Sequence, residues 1–185
     1  MPKNLIWGMD LTGKTDSDKD THHILGIVDH HSRGILCLEA VQTKATSSLL
    51  RCLLDCIDKY GKPKYVRTDN EAVFTSKLFA LALWLLNIRH QKTDLHCPWQ
   101  NGRVERFFGT LKERLNQLEV NSFDQLNLAL GEFRFWYNHV RPHQYLDDCT
   151  PAEVWNGVDI YKRKSMKAFW FDAWDGLLRG FYLPP

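Results

Sequence analysis

A strand, a helix and a second strand follow one another between residues 4 and 68, and few folds accommodate this order. Residues 4–12 are a largely apolar, strand-like run, residues 46–60 carry leucines at helical spacing, and residues 64–68 form another short strand-like run. A strand–helix–strand unit is a crossover connection, which places its two strands parallel in one sheet. We therefore predict that the ends of these two strands lie side by side.

Three more apolar runs extend this sheet. Residues 24–28 and 35–41 are separated by a turn that ends in Gly34, so they predict an antiparallel meander with the first strand. Residues 87–91 predict a fifth, short strand. The expected fold class is therefore α/β, with a mixed sheet flanked by helices.

Three further helices are predicted after the crossover. The first is capped by Thr75 or Ser76 and runs through Leu86 with apolar residues nearly all round, so it is buried or lies at a subunit contact. The second has an apolar face at three- and four-residue intervals and runs to about Leu118. The third begins with a capping box at Ser122.

Three acidic residues stand at element ends. Asp10 closes the first strand-like run, Asp69 closes the run at residues 64–68, and Glu105 lies in the first turn of a helix. Acidic residues are depleted inside strands, so an Asp at the end of each parallel strand suggests a shared edge where a cation is held. Glu105 alone has a simpler interpretation, because a surface carboxylate complements the helix dipole at that position.

Composition sets broad limits on function. The chain has 185 residues and a formal net charge of +2, which permits a nucleic-acid partner only through a local basic patch. Its longest apolar run, Leu78 to Leu86, is too short to cross a bilayer, and no secretory leader pattern is present at the amino end. The five cysteines include no Cys-x-x-Cys pair, so we expect a reduced, cytoplasmic setting without a structural zinc site.

The carboxyl-terminal segment differs from the rest of the chain. Two aromatic-rich runs flank Asp175 and Gly176, and this pattern predicts a β-hairpin. An isolated hairpin is marginally stable, so it must pack on the core or on a second copy. We expect a main domain over residues 1–160 and a carboxyl-terminal extension over residues 161–185.

The three acids and their surroundings resemble the integrase catalytic core family, which comprises retroviral integrases and insertion-sequence transposases. Thirty-five residues separate Asp69 from Glu105, as in the D,D-35-E signature of that family. The resemblance covers residues 5–156 and includes these segments: WGMDLT, GIVDHHSRGILCLEA, VRTDNEAVF, CPWQNGRVERFFGTLKERL and FWYNHVRPHQYLDDCTPAEVW. It implies an RNase H-like fold, with a five-stranded mixed sheet in the order 3-2-1-4-5.

The resemblance also implies a reaction and a cofactor. Asp10, Asp69 and Glu105 are expected to be the catalytic residues and to hold two Mg²⁺ (or Mn²⁺) ions, with Asp10 shared between them. Water would cut a mobile-element end, and the freed 3′-hydroxyl would then attack target DNA. The expected partners are DNA and further copies of the chain, at least a dimer, with no membrane.

Four residues are expected to contact DNA. Lys112, two helical turns after Glu105, matches a family lysine that approaches the DNA end; the alternative is a solvated lysine. Gln100, Asn101 and Arg103 match the family's active-site loop, although a polar loop at a helix entry is common. We expect other basic and histidine side chains to be structural or solvent-facing, namely Arg106, Arg114, Arg141, His96 and His143.

One position departs from the family pattern. Many relatives have Gly after the Asp-Asn pair, whereas Glu71 follows Asn70 in this chain. If the position needs a positive φ, Glu71 is strained; if it does not, Glu71 is an additional acid near the metals. Glu71 keeps open the reading of a catalytically weak or domesticated core that binds DNA or self-associates. An RNase H-type nuclease would have a similar sheet, although the thirty-five-residue spacing argues against it.

Overall fold

The computed structural model describes residues 1–93, 102–159 and 167–183. Its main sheet has five strands in the order β3-β2-β1-β4-β5, which confirms the predicted order. The strands are β1 (Ile6–Thr15), β2 (Thr21–Asp29), β3 (Ile35–Val41), β4 (Tyr65–Thr68) and β5 (Arg89–Lys92). β1, β2 and β3 form an antiparallel meander, while β4 pairs parallel with both β1 and β5.

The described residues include six α-helices, which cover the sheet and its edges. They are α1 (Thr46–Tyr60), α2 (Ala72–Thr75), α3 (Lys77–Leu85), α4 (Gly102–Leu115), α5 (Phe123–Phe135) and α6 (Pro151–Asn156). A π-helical turn (Trp136–Val140) continues α5, and a short 3₁₀ turn (Gln144–Leu146) follows it. Within the three described ranges, no helix is both long enough and apolar enough to cross a membrane.

The helix boundaries match the sequence closely where caps are present. α1 has the predicted bounds, and Gly61 at its end adopts a φ of 86°, which a residue without a Cβ reaches at low cost. The helix predicted to be capped by Thr75 or Ser76 is confirmed as α3, because Ser76 is extended and caps it by accepting a hydrogen bond from the Phe79 N–H, while α2 is a separate short helix before it. α4 stops at Leu115, short of the predicted Leu118.

Two apolar cores lie on the two faces of the sheet. Ile24 and Val28 of β2 belong to the core that α4 and α5 complete, whereas Leu25 and Ile27 belong to the core beneath α1 and α3. This division follows from the alternation of side chains along a strand. Both faces of the central strands are therefore buried.

Two glycines let α4 approach the sheet. A Cβ on Gly26 of β2 would lie 2.8 Å from ring carbons of both Phe107 and Phe108, and a Cβ on Gly8 of β1 would clash with Val104. Because these positions have no side chain, the buried face of α4 rests directly on the strand backbones. The sheet thus sets the distance between its own backbone and the amino-terminal turn of α4.

The carboxyl-terminal strands form a hairpin that packs on α5. β6 (Phe169–Ala173) and β7 (Leu178–Tyr182) are antiparallel, and the connecting loop has four residues, with φ of 50° at Asp175 and 85° at Gly176. Trp174 and Leu178 are buried in the same core as α4 and α5. Arg114, predicted as a surface charge, is half-buried instead and donates a 3.0 Å hydrogen bond to the Leu177 carbonyl.

Candidate active site

Asp10 lies on β1 on the face that α4 covers. It pairs with Gly26 of β2, so the two positions share one face of the sheet, and the absence of a side chain at Gly26 leaves room beside the carboxyl group. The Leu11 N–H donates a 2.8 Å hydrogen bond to Asp10 Oδ1. This hydrogen bond orients the Asp10 side chain near the amino-terminal turn of α4, which carries Glu105.

Asp69 follows β4 directly, at the level of Asp10. The parallel register pairs Gly8 with Arg67, so two residues further along each strand the chain reaches Asp10 and Asp69. Asp69 Oδ1 accepts a 3.0 Å hydrogen bond from the Glu71 N–H. The Thr68 hydroxyl, which is buried, donates to the Asp69 carbonyl at 2.8 Å and fixes the strand end.

The charges of these acids act on one another. Burial, followed by the charges of Asp69, Glu71 and Glu105, raises the pKa of the Asp10 carboxyl from 3.8 to about 7, against the opposing effect of the Leu11 N–H. Glu105 is exposed, while Asp69 and Glu71 are half-buried. The arrangement concentrates negative charge around a buried carboxyl group, and a divalent cation would relieve the repulsion.

Glu71 is not strained. Its φ is −56°, so the first of the two alternatives drawn from the sequence is excluded. Its carboxylate lies 3.8 Å from Lys44 Nζ, and its charge contributes to the raised pKa of Asp10. Glu71 is therefore an additional acid beside the carboxylate cluster.

The donor set suits a hard cation. Asp10, Asp69 and Glu105 offer only carboxylate oxygens, which Mg²⁺ and Mn²⁺ prefer. Their oxygens do not all lie within 4.8 Å of one another, unlike the ligand atoms of Cys37, Glu39 and Cys52 at β3 and α1. These two cysteines belong to the core beneath α1 and α3. Hydrogen bonds with Cys52 and Cys56 hold the pKa of the Cys37 thiol well above its usual value there.

Of the four residues expected to contact DNA, two are described. Lys112 is exposed on α4, two turns beyond Glu105. Arg103 is half-buried in the first turn of α4, and burial together with the charges of Arg33 and Arg67 lowers the pKa of its guanidinium. Gln100 and Asn101 lie outside the described residues.

Sequence reasoning missed a large cleft beside Glu105. The cleft has a volume of about 1190 Å³, and we call it the arginine cleft. Its described lining includes five arginines and two carboxylates, Arg33, Arg67, Arg103, Arg106, Arg141, Glu105 and Asp148, together with His30, His143 and Tyr145. His143, expected to face solvent, is buried against Tyr137, with ring centroids 4.6 Å apart. Arg103 and Arg106 both lie near the amino-terminal end of α4, but the other three arginines come from separate segments, so no local pattern in the sequence signals the cleft.

Family models match most of the chain. A model described as "Integrase core domain" matches residues 2–98, just over half of the chain, and a second model with the same description matches residues 86–151. These two matches include Asp10, Asp69 and Glu105.

Individual relatives come from mobile elements and viruses. An uncharacterized 39.2 kDa protein of insertion element IS476 from Xanthomonas euvesicatoria is 27% identical over 81% of this chain and 44% of its own length. The Gag-Pro-Pol polyprotein of squirrel monkey retrovirus is 33% identical over 62% of this chain and 6% of its own length. The chain thus spans less than half the length of these relatives.

Solved structures share the fold. The HTLV-2 integrase catalytic core domain in complex with magnesium has a TM-score of 0.67 at 22% identity, with 82% of this chain and 95% of that chain covered. The simian T-cell lymphotropic virus intasome in complex with PP2A regulatory subunit B56 gamma has a TM-score of 0.72 at 23% identity, with 98% and 67% covered. The predicted RNase H-like fold is confirmed.

Proposed function

The chain belongs to the integrase core domain family, and from that premise we propose that it is the catalytic core of a transposase or integrase that cuts and joins DNA strands. The observation that carries this proposal is the cluster of acidic residues around Asp10. Burial and the charges of three neighbouring acids raise the pKa of Asp10 to about 7. Such a cluster costs free energy in a protein without a bound cation. A role in holding divalent cations accounts for it.

Each acid has a distinct part in the proposal. Asp10, at the centre of the cluster, would bind both ions, while Asp69 and Glu105 would each bind one. Two bound Mg²⁺ or Mn²⁺ ions would activate the attacking oxygen and stabilise the leaving oxygen in phosphodiester displacement. The hydrogen bonds from the Leu11 and Glu71 N–H groups orient the carboxyl groups of Asp10 and Asp69 before any ion arrives.

The test combines binding and turnover. Asp10→Asn, Asp69→Asn and Glu105→Gln should each weaken Mn²⁺ binding in calorimetry and abolish metal-dependent joining of a labelled 3′-hydroxyl DNA end to a plasmid. Glu113→Gln is the matched control, because Glu113 is an exposed acid on the same helix as Glu105. Full joining activity in any of the three variants would remove that residue from the site. Cleavage of the RNA strand of a hybrid instead of joining would favour an RNase H-type nuclease.

Self-association is part of the same proposal. α3 and α1 expose a row of large apolar side chains: Leu54 (47% exposed), Leu78 (51%), Leu81 (52%), Trp84 (73%) and Leu85 (68%). α3, the helix predicted to be buried or at a subunit contact, therefore exposes part of its apolar surface to solvent. The similar HTLV-2 core was solved in dimeric and trimeric forms. We expect a second copy of this chain to cover the row.

Sedimentation velocity tests this part of the proposal. The wild type should sediment as a dimer or larger species, and Trp84→Glu/Leu85→Glu should shift it to a monomer with an unchanged circular dichroism spectrum. A double variant that sediments like the wild type would move the contact elsewhere. A monomeric wild type at micromolar concentration would refute self-association of this chain.

A further inference from the structure

The arginine cleft contains more positive charge than its own carboxylates neutralise. Its described lining has five arginines against Glu105 and Asp148. In residues 1–93, 102–159 and 167–183 the ion pairs within 4.0 Å are His22–Asp16 and Lys44–Glu71, which lie elsewhere. Arg33, Arg103, Arg106 and Arg141 are therefore not paired with a carboxylate of this part of the chain, and such crowding of like charges is costly without an anion.

The arginines are held in place before any ligand arrives. Arg33 lies in the turn between β2 and β3 with a φ of 60°, and the buried carboxylate of Asp29 fixes that turn by accepting hydrogen bonds from the Ser32 N–H (2.8 Å) and hydroxyl (2.9 Å). The guanidinium carbons of Arg33 and Arg106 lie 4.9 and 5.1 Å from the centre of the Tyr145 ring. These contacts orient the two side chains together.

Arg141 is positioned by two aromatic residues. Its guanidinium carbon lies 5.6 Å from the centre of the Tyr137 ring and 5.8 Å from that of Trp136. Trp136 and Tyr137 are themselves buried in the core with α4 and α5. The cleft therefore presents the guanidinium group of Arg141 on a buried, rigid support.

His30 provides an independent sign of a missing ligand. Its ring is 3% exposed, lines the cleft, and has no hydrogen-bond partner for either nitrogen among the described residues. Buried polar groups are nearly always hydrogen-bonded in native proteins, so an orphaned imidazole implies a partner outside residues 1–93, 102–159 and 167–183. Burial and the charges of Arg103 and Arg67 lower the pKa of His30 to about 3, so the ring is neutral and carries one N–H donor.

From this geometry we propose that the arginine cleft binds the phosphate backbone of the DNA strand that enters the carboxylate site, through Arg33, Arg103, Arg106 and Arg141. Planar guanidinium groups match phosphate oxygens, and α4 directs its amino-terminal end into the same cleft. Glu105 lies between Arg103 and Arg106 in the sequence of α4, so a strand held by these arginines passes the acid. This inference rests on the proposed function and assigns the DNA path at that site.

A strand of nucleic acid fits the cleft better than a small anion does. Small-molecule pockets are mostly apolar and enclosed, whereas this cleft is large, open and lined by charges from well-separated segments. Phosphate contacts carry no sequence information, so the cleft should hold any DNA with similar affinity.

The test measures DNA binding by fluorescence anisotropy in EDTA, so that it does not depend on metal or turnover. In 0.1 M salt each lost phosphate contact should weaken binding about eightfold, because about 0.9 counterions are released per contact. Arg33→Ala/Arg106→Ala should therefore raise Kd about sixtyfold and reduce the slope of log K against log salt by about two. Arg51→Ala, an exposed arginine on α1 at the opposite face of the sheet, should bind like the wild type.

Two further measurements complete the test. One distinguishes a role of the arginine charges from a structural role, and the other distinguishes DNA from small anions as the ligand. Arg33→Lys/Arg106→Lys should keep most of the salt slope; if it loses as much affinity as the alanine pair, the arginines act structurally and the proposal fails. Inorganic phosphate at matched ionic strength should displace DNA no better than chloride. Displacement at low millimolar phosphate, or an alanine pair that binds like Arg51→Ala, would overturn the proposal. Loss of metal binding in Asp10→Asn leaves this test unaffected, so failure of the proposed function and of the cleft are distinguishable.

Discussion

Gly26→Ala should separate the positioning of α4 from the chemistry of the carboxylates. The added Cβ would lie 2.8 Å from Phe107 Cε1 and 2.8 Å from Phe108 Cζ, whereas carbon atoms pack at about 3.5–4.0 Å. Both rings are buried, at 0% and 5% exposure, so they cannot rotate into open space. Relief requires α4 to retreat from the sheet by about 1 Å, at a cost of about 1–3 kcal/mol in the free energy of unfolding.

The same retreat carries Glu105 away from Asp10. A displacement of about 1 Å at a catalytic group is enough to lower a rate by about 10²-fold. We therefore expect Gly26→Ala to reduce both the unfolding free energy, measured in urea, and the affinity for Mn²⁺, measured by calorimetry. The effect on Mn²⁺ binding distinguishes a shifted helix from a merely destabilised core.

Gly109→Ala is the matched control on the same helix. A Cβ at Gly109 meets nothing within 4 Å in the described structure, so alanine should stabilise α4 by about 0.5–1 kcal/mol without moving it. Mn²⁺ affinity should stay at the wild-type value. If Gly26→Ala is as stable as the wild type and binds Mn²⁺ equally well, the reasoning about the approach of α4 is refuted.

Two other predictions concern the carboxyl-terminal hairpin and pH. Trp174→Ala should cost about 3–5 kcal/mol in urea unfolding, because the indole is buried and donates a 2.9 Å hydrogen bond to Glu132, whereas the exposed Trp170→Ala should change it by less than about 0.5 kcal/mol. Burial, then the charge of Arg141, lowers the pKa of His143 to about 4 from 6.5. The unfolded chain therefore binds the proton first, and stability should fall as pH drops from 6.5 towards 4, by up to about 1.4 kcal/mol per pH unit. His143→Gln should flatten that decline; an unchanged profile would contradict the assignment.

Local patterns were sufficient for much of the fold. The alternation of strand-like and helical runs predicted all five strands of the main sheet, and the apolar spacing with Gly61 predicted the bounds of α1. The crossover rule placed Asp10 beside Asp69, since parallel strands joined by a helix end at the same edge of a sheet. The element boundaries depend on residues close in sequence, and the pairing of the two strands follows from a general rule about crossover connections.

The remaining features depend on contacts between distant segments. Gly8 and Gly26 look like ordinary strand glycines until α4 is placed against them. Arg33 and Arg141 are more than a hundred residues apart, yet both line the arginine cleft. Burial and charge convergence of this kind arise from tertiary packing, which has no local signature in the sequence.

The central claim is that Asp10, Asp69 and Glu105 hold a common divalent cation, and anomalous diffraction from crystals soaked in Mn²⁺ tests it most directly. The account predicts a manganese peak bound to the carboxylate oxygens of Asp10 and Asp69, with Glu105 within ligand distance of the same or a second peak. A saturating soak that gives no peak there, or a peak only at Cys37, Glu39 and Cys52, would contradict it.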